Sequence, residues 1–336
     1  MRIHCLPKNH DIQLYVRRES WRVDGVFAIA RGAQSVAELI VVELRSGSRR
    51  GHGECEPQEY YGESPSTVIA QIERLRPQIE SGLTREELLV DMPPGAARNA
   101  LDCAMWDLEA KCSGRSAWAI AGIEPRTVVT DFSLSLDTPE KMRERALKYR
   151  DWPILKIKLG GGDIDVDRVA AVRDAAPGAR LTVDANESWT PAQLERDAPR
   201  LHALGVELIE QPLPAKNDAA LRIYEPIIPI CADEACHSRA SLDRIDGLYQ
   251  FINIKLDKTG GLTEALALAR EARARGLRLM VGCMTGTSLA TAPALLVASL
   301  AEYVDLDGPL LLAADRDPPV SYALGVISPA PSALWG

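Results

Sequence analysis

Lys156 and Lys158 stand two apart in the run ILKIKLGG (Ile154–Gly161), among aliphatic neighbours. In a strand, residues i and i+2 share a face, so both ammonium groups point together. Their repulsion and their burial disfavour the charged form and lower a lysine pKa from a reference of about 10.4. A lysine brought towards neutrality can act as a base. An isolated K-x-K is more often an exposed edge strand with solvated lysines. The residues downstream tip the balance the other way.

Polar residues close a series of apolar runs: Lys158, Asp184, Glu210, Asp233, Lys255, Cys283 and Asp305. The gaps are 26, 26, 23, 22, 28 and 22 residues, one β/α unit each. In a barrel the C-terminal strand ends converge on one mouth. Asp184, Glu210 and Asp233 would meet there, flanked by Lys158 and Lys255. A single acid at a strand end commonly caps the next helix; three in phase inside LTVDAN, LIEQP and ICADE do not read that way. Three oxygen donors on rigid strands suit a hard divalent cation, Mg2+ first, and the absence of Cys or His among them disfavours zinc. A base on each face of a carbon acid can remove a proton from one side and return one to the other, inverting the centre. The proton beside a carboxylate is weakly acidic, and a cation on that carboxylate stabilises the enediolate.

These residues need a scaffold of alternating elements. Before Thr127 the chain reads as mixed α and β. VAELIVVELRS (Val36–Ser46) is a strand, with GHGE (Gly51–Glu54) continuing it into a loop. Helices are expected over Ser64–Leu75, opened by a capping serine and a proline, and over the amphipathic Gly95–Gly114, closed by a glycine C-cap. After Thr127, eight short β-rich runs alternate with seven helical ones, several opened by Thr-Pro. That pattern fits a (β/α) barrel better than an open sheet. Residues 318–329 read as a return to the first domain.

KIK, VDANES, IEQPL, ADE and NIKLDKTGG together resemble the enolase superfamily, over nearly the whole chain. The resemblance implies a capping domain (1–120, completed by about 318–336) and a (β/α)7β barrel (121–317). It also implies a lysine base with a magnesium-stabilised enediolate. K-x-K on the second strand and a lysine on the sixth are similar to the muconate-lactonizing subgroup. A mandelate-racemase-like member would carry a late histidine, and none follows His237. Asp305 and Asp307, two apart on the eighth strand, resemble the D-x-D by which dipeptide epimerases receive a substrate ammonium group; the alternative is a turn at Asp307-Gly308-Pro309. The chain is most similar to L-Ala-D/L-Glu epimerases. There an early arginine is expected to pair the glutamate side chain; here Arg31 is present, and Gln34 stands where a close relative would carry arginine. Within the subgroup a cycloisomerase or dehydratase is the alternative, and outside catalysis a barrel that only binds metal and carboxylates. Ser133 and Cys283 are further substrate-contact candidates, against a local hydrogen bond and simple packing. Lys258 either supports the site or is a loop lysine. Asp163, Asp165 and Asp167 imitate a calcium loop but lack its glycine and its final glutamate. Gly260-Gly261 alone is weak evidence for phosphate binding.

The 336 residues allow one large or two ordinary domains with a real core. A net charge of -8, with no basic cluster, disfavours nucleic acid. No apolar run approaches the roughly 20 residues that span a bilayer, and MRIHCLPKNHDIQL lacks the apolar core of a signal peptide. Seven cysteines without framework spacing suggest reduced thiols in a cytoplasmic protein. A small-molecule dipeptide is the expected partner, and a homo-oligomer is compatible with the sequence.

Overall fold

The computed structural model describes residues 12–336; the first eleven residues of the stretch weighed for a signal segment lie outside it. The chain opens with an antiparallel sheet of β1 (Ile12–Ile29), β2 (Gly32–Ser46) and β3 (Arg49–Cys55). GHGE does not leave as a loop. It lies within β3, which runs back along β2 with Val42 opposite Gly53 and Leu44 opposite Gly51. Its glycines are there for a close approach: a Cβ at Gly53 would sit 2.0 Å from the Ala100 carbonyl oxygen, and one at Gly51 2.3 Å from that of Ala104.

Both of those carbonyls belong to the helix Ala96–Ser113, which ends at the left-handed Gly114. The expected amphipathic face is absent, for 14 of its 18 residues are buried. One side packs on the sheet and the other on the barrel, so even its polar residues are inside. Arg98 donates to the Thr259 and Gly260 carbonyls, Asn99 to Asp257, and Asp102 accepts from Thr263. The helix Pro65–Arg74 begins where expected, with Ser64 and Thr67 forming a capping box.

The two-residue β4 (Val128–Val129) precedes the barrel. Eight parallel strands follow in chain order: β5 (Phe132–Leu134), β6 (Ile154–Lys158), β7 (Arg180–Asp184), β8 (Val206–Glu210), β9 (Ile230–Ala232), β10 (Phe251–Ile254), β11 (Arg278–Gly282) and β12 (Tyr303–Asp305). Neighbours pair from β5 round to β12, and the Asp131 amide donates to the Val304 carbonyl at 2.9 Å to close the ring. Outward residues such as Ile157, Val183, Ile209, Ile252 and Val281 meet the surrounding helices in the main core. Inward, Leu208, Cys231, Phe251, Met280 and Tyr303 plug the barrel below the mouth. The crossover from β8 to β9 has 3-10 turns (Ala215–Asn217, Ala219–Arg222) instead of an α-helix, because Pro214, Pro226 and Pro229 punctuate it. The β9–β10 crossover has only a four-residue α-helix, Leu242–Ile245.

Beyond the barrel, Leu312 bridges Val23 of β1, and the Ala313 amide donates to the Arg22 carbonyl. The hairpin of β13 (Tyr322–Ala323) and β14 (Val326–Ile327) then pairs with β4.

Candidate active site

The period-2 pattern of β6 sends Lys156 and Lys158 into the barrel at two depths. Lys156 is fully buried in the middle layer and Lys158 is 6% exposed at the mouth. Lys158 Nζ donates to Asp184 Oδ2 at 2.6 Å. Lys156 Nζ lies 2.7 Å from Glu210 Oε2, 2.6 Å from Asp305 Oδ2 and 3.4 Å from Asp184 Oδ2. Across the mouth Lys255 Nζ donates to Asp233 Oδ2 at 2.8 Å. The K-x-K spacing predicts a pair that repels itself towards neutrality. At Lys156 the surrounding acids reverse that effect. Burial alone would lower Lys156, but Asp305, Glu210 and Asp184 outweigh it and hold the ammonium well above its ordinary range. Lys255 is likewise lowered by burial and raised further by Asp233 and Glu210.

Lys258 joins this group. Its Nζ is enclosed by Asp233 Oδ1 at 2.6 Å and the carbonyls of Asp233, Cys236 and Asn253 at 2.5, 2.9 and 3.0 Å. It is 1% exposed, so it is no loop lysine. Asn253 donates to Glu210 Oε1 at 2.7 Å, and Asn186 donates through its amide to Asp184 Oδ1 at 2.9 Å. Sequence reading passed over both asparagines; VDAN and FINI carried them in plain sight.

Asp305 at the end of β12 and Asp307 two residues beyond it face the same cavity as Ser133 of β5. Asp307 Oδ2 accepts from the Ser133 amide at 2.6 Å, and Ser133 Oγ lies 3.4 Å from Asp305 Oδ1. Burial and then Asp305 raise the Asp307 carboxyl to about 7, while Asp305 stays low because Lys156 and Lys158 outweigh its burial. Among the described residues, the three acids whose oxygens approach within 4.8 Å of one another are Asp131, Asp305 and Asp307, not Asp184, Glu210 and Asp233. Each of the latter is paired with a lysine: Asp184 with Lys158, Glu210 with Lys156 and Asp233 with Lys255.

The β1–β2 hairpin closes one side of the mouth. A small cavity is lined by Phe27 of this hairpin, by Lys158, Lys255 and Cys283, and by the acids Asp305 and Asp307. Thr285 also reaches it, and Gln34 donates to Thr285 Oγ1 at 2.5 Å. Arg31 does not line it. Its Nη1 donates to Glu234 Oε1 at 2.5 Å and to the Asn186 carbonyl at 3.3 Å, and its guanidinium lies over the Tyr60 ring at 4.4 Å.

The fold and this mouth define a barrel of the enolase type. The chain belongs to the enolase superfamily: residues 140–320 match the family described as enolase C-terminal domain-like, and residues 11–122 the mandelate racemase / muconate lactonizing enzyme N-terminal domain. It is 49% identical to the L-Ala-D/L-Glu epimerase of Escherichia coli (strain K12), over 92% of this chain and 97% of that one. It is 47% identical to the N-acetyl-D-glutamate racemase of a Pseudoalteromonas species, over 89% and 95%. An enolase family member from Agrobacterium tumefaciens, solved with sodium and L-Ala-L-Glu, superimposes with a TM-score of 0.95 at 47% identity, covering 97% of this chain and 100% of the other. Other solved dipeptide epimerases, 26% to 28% identical, hold Mg and a dipeptide.

Proposed function

We propose that the protein is a magnesium-dependent dipeptide epimerase that inverts the α-carbon of the C-terminal residue, with L-Ala-D/L-Glu as its substrate. One observation carries this: Lys158 and Lys255 lie four strands apart in an eight-stranded barrel, hence on opposite sides, and both line one cavity. A metal-binding protein without catalysis has no need of opposed bases. In this reading Lys158 takes the α-proton from one face and Lys255 delivers one to the other; the roles exchange for the opposite diastereomer. Lys156, too deep to reach the α-carbon, supports the substrate carboxylate by its charge.

Asp184, Glu210 and Asp233 would hold the cation. They are buried, offer oxygen only, and suit a hard ion. Glu210 Oε2 makes no hydrogen bond and is met only by the ion-pair approach of Lys156. A divalent cation bound there would polarise the substrate carboxylate and stabilise the enediolate left by proton loss. Asp305 and Asp307 would receive the ammonium group of the N-terminal residue, with Ser133 holding Asp307 and Cys283 packing beside them. Six free thiols among the described residues support a reducing, cytoplasmic setting.

The relative acting on an N-acetylated amino acid gives the second reading, because such a substrate has no ammonium group. A paired acid on the cavity wall favours the free amine. Incubating L-Ala-L-Glu in deuterated water should give inversion with one deuterium at the glutamate α-carbon, read by mass spectrometry and chiral separation. Lys158→Ala and Lys255→Ala should each stop net inversion, while either retains exchange on a single diastereomer. Undiminished epimerisation in Lys255→Ala would rule out the two-base mechanism.

A further inference from the structure

Asp131 precedes β5 and is 1% exposed, and the sequence reading gave it no role. Its amide closes the barrel onto Val304, which sets its carboxyl beside the next residue of β12, Asp305. The oxygens of Asp131, Asp305 and Asp307 lie within 4.8 Å of one another, and all three side chains are buried. The charged groups acting on Asp131 include Asp305 at the end of β12, Lys156 of β6 and Asp307 just beyond β12. Lys156 is already shared with Glu210 and Asp184. Lys156 and Lys158 both act on Asp305, but they also pair with Asp184 and Glu210, which leaves too little positive charge for three further ionised carboxyls at such separations. As a carboxylate, Asp131 would also leave Oδ1 buried without a hydrogen-bond partner. As a carboxylic acid it would have an acceptor close by, the Asp305 carboxylate, whose oxygen lies within 4.8 Å of its own.

From this geometry we infer that Asp131 is a protonated carboxyl that donates a hydrogen bond to Asp305 and so positions Asp305 for the substrate ammonium group. The inference rests on the ammonium reading of Asp305 and Asp307. Asp131 does not reach the cavity wall, whereas Asp305 and Asp307 do; it acts through Asp305 and not on the substrate. With Lys156 on one oxygen and Ser133 near the other, Asp305 gains a third tether from below. Burial and the charge of Asp305 both push the Asp131 carboxyl well above its ordinary range, in accord with the same assignment.

The test compares wild type, Asp131→Asn and Asp131→Ala on L-Ala-L-Glu and on N-acetyl-L-Ala-L-Glu. Asparagine keeps a neutral donor of the same shape, and alanine removes it. Asp131→Ala should lose about tenfold in kcat/KM on the free amine, mostly through KM, and little on the acetylated peptide. Asp131→Asn should recover most of that loss. Difference infrared spectra, wild type minus Asp131→Asn at neutral pH, should show the carbonyl stretch of one protonated carboxyl. Asp131→Ala with the wild-type preference for the free amine would overturn the positioning role. Absence of that infrared band, or asparagine no better than alanine, would overturn the neutral donor. If Asp131→Ala does not fold, the infrared band decides. Equal wild-type rates on the two peptides would instead defeat the ammonium reading, and this inference with it.

Discussion

Asp233 has a lysine on each oxygen, Lys255 on Oδ2 and Lys258 on Oδ1. The two contacts differ in kind. Lys255 lines the cavity and can turn to a substrate, whereas Lys258 spends its three protons on fixed acceptors within the β9–β10 region. We therefore expect Lys258 to lock one oxygen of Asp233 and leave the other for a cation. Lys258→Met should weaken magnesium binding by tenfold or more in calorimetry, since a charge-assisted bond contributes roughly 1.5–3 kcal/mol. Unchanged affinity in a folded variant would mean that Lys258 only fills the core. At this scale the sequence was informative where spacing repeats. The strand-end acids and lysines followed from one-unit gaps. Asp131 stands before an already short strand and not at a strand's C-terminal end, so that spacing does not reach it. Lys258 was visible, but its partners were not, because three of its four acceptors are backbone carbonyls that no residue type announces.

Among the elements, the β1–β2 hairpin was the least legible. β1 mixes charged and apolar residues, since much of it is exposed, and so gives a weak strand signal. GHGE hid β3 because its glycines answer to a helix that the local sequence does not contain. The hairpin tip is fastened to the barrel by Arg31 on Glu234 and Asn186, and by Tyr60, whose hydroxyl bonds Glu187. Gln34 fastens the other side through Thr285. This arrangement makes Arg31 a latch for the hairpin more readily than a partner for the substrate side chain. Arg31→Ala should raise KM by about three- to tenfold for L-Ala-L-Glu and for a dipeptide ending in an apolar residue alike. A loss confined to the acidic substrate would return Arg31 to the role expected from the resemblance.

For the whole molecule, the capping sheet, the helix Ala96–Ser113 and the barrel share a buried polar seam. Glu56, just after β3, accepts from the Thr285 amide at 2.9 Å and from Gln58 at 2.8 Å. Asp257 lies close by and accepts from the Glu56 amide at 3.2 Å and from Asn99 at 3.1 Å. Neither acid has a lysine or arginine among these partners. Burial first, and then the charge of Asp257, raises the Glu56 carboxyl to about 8, while burial raises Asp257 to about 7. Such a group favours the folded state fully below its unfolded value, near 4.5, and that contribution is lost as pH rises through the folded value. In that window one group changes stability by at most about 1.4 kcal/mol per pH unit. The stability that the protonated seam contributes should therefore fall between about pH 4.5 and 8. Glu56→Gln keeps the shape of the protonated acid and cannot ionise. Thermal melts should show Tm falling less steeply over that range in Glu56→Gln than in wild type, with the curves diverging most above pH 8. Parallel curves would mean that Glu56 is already ionised in the native protein and that the two domains meet across a charge pair that some other group neutralises.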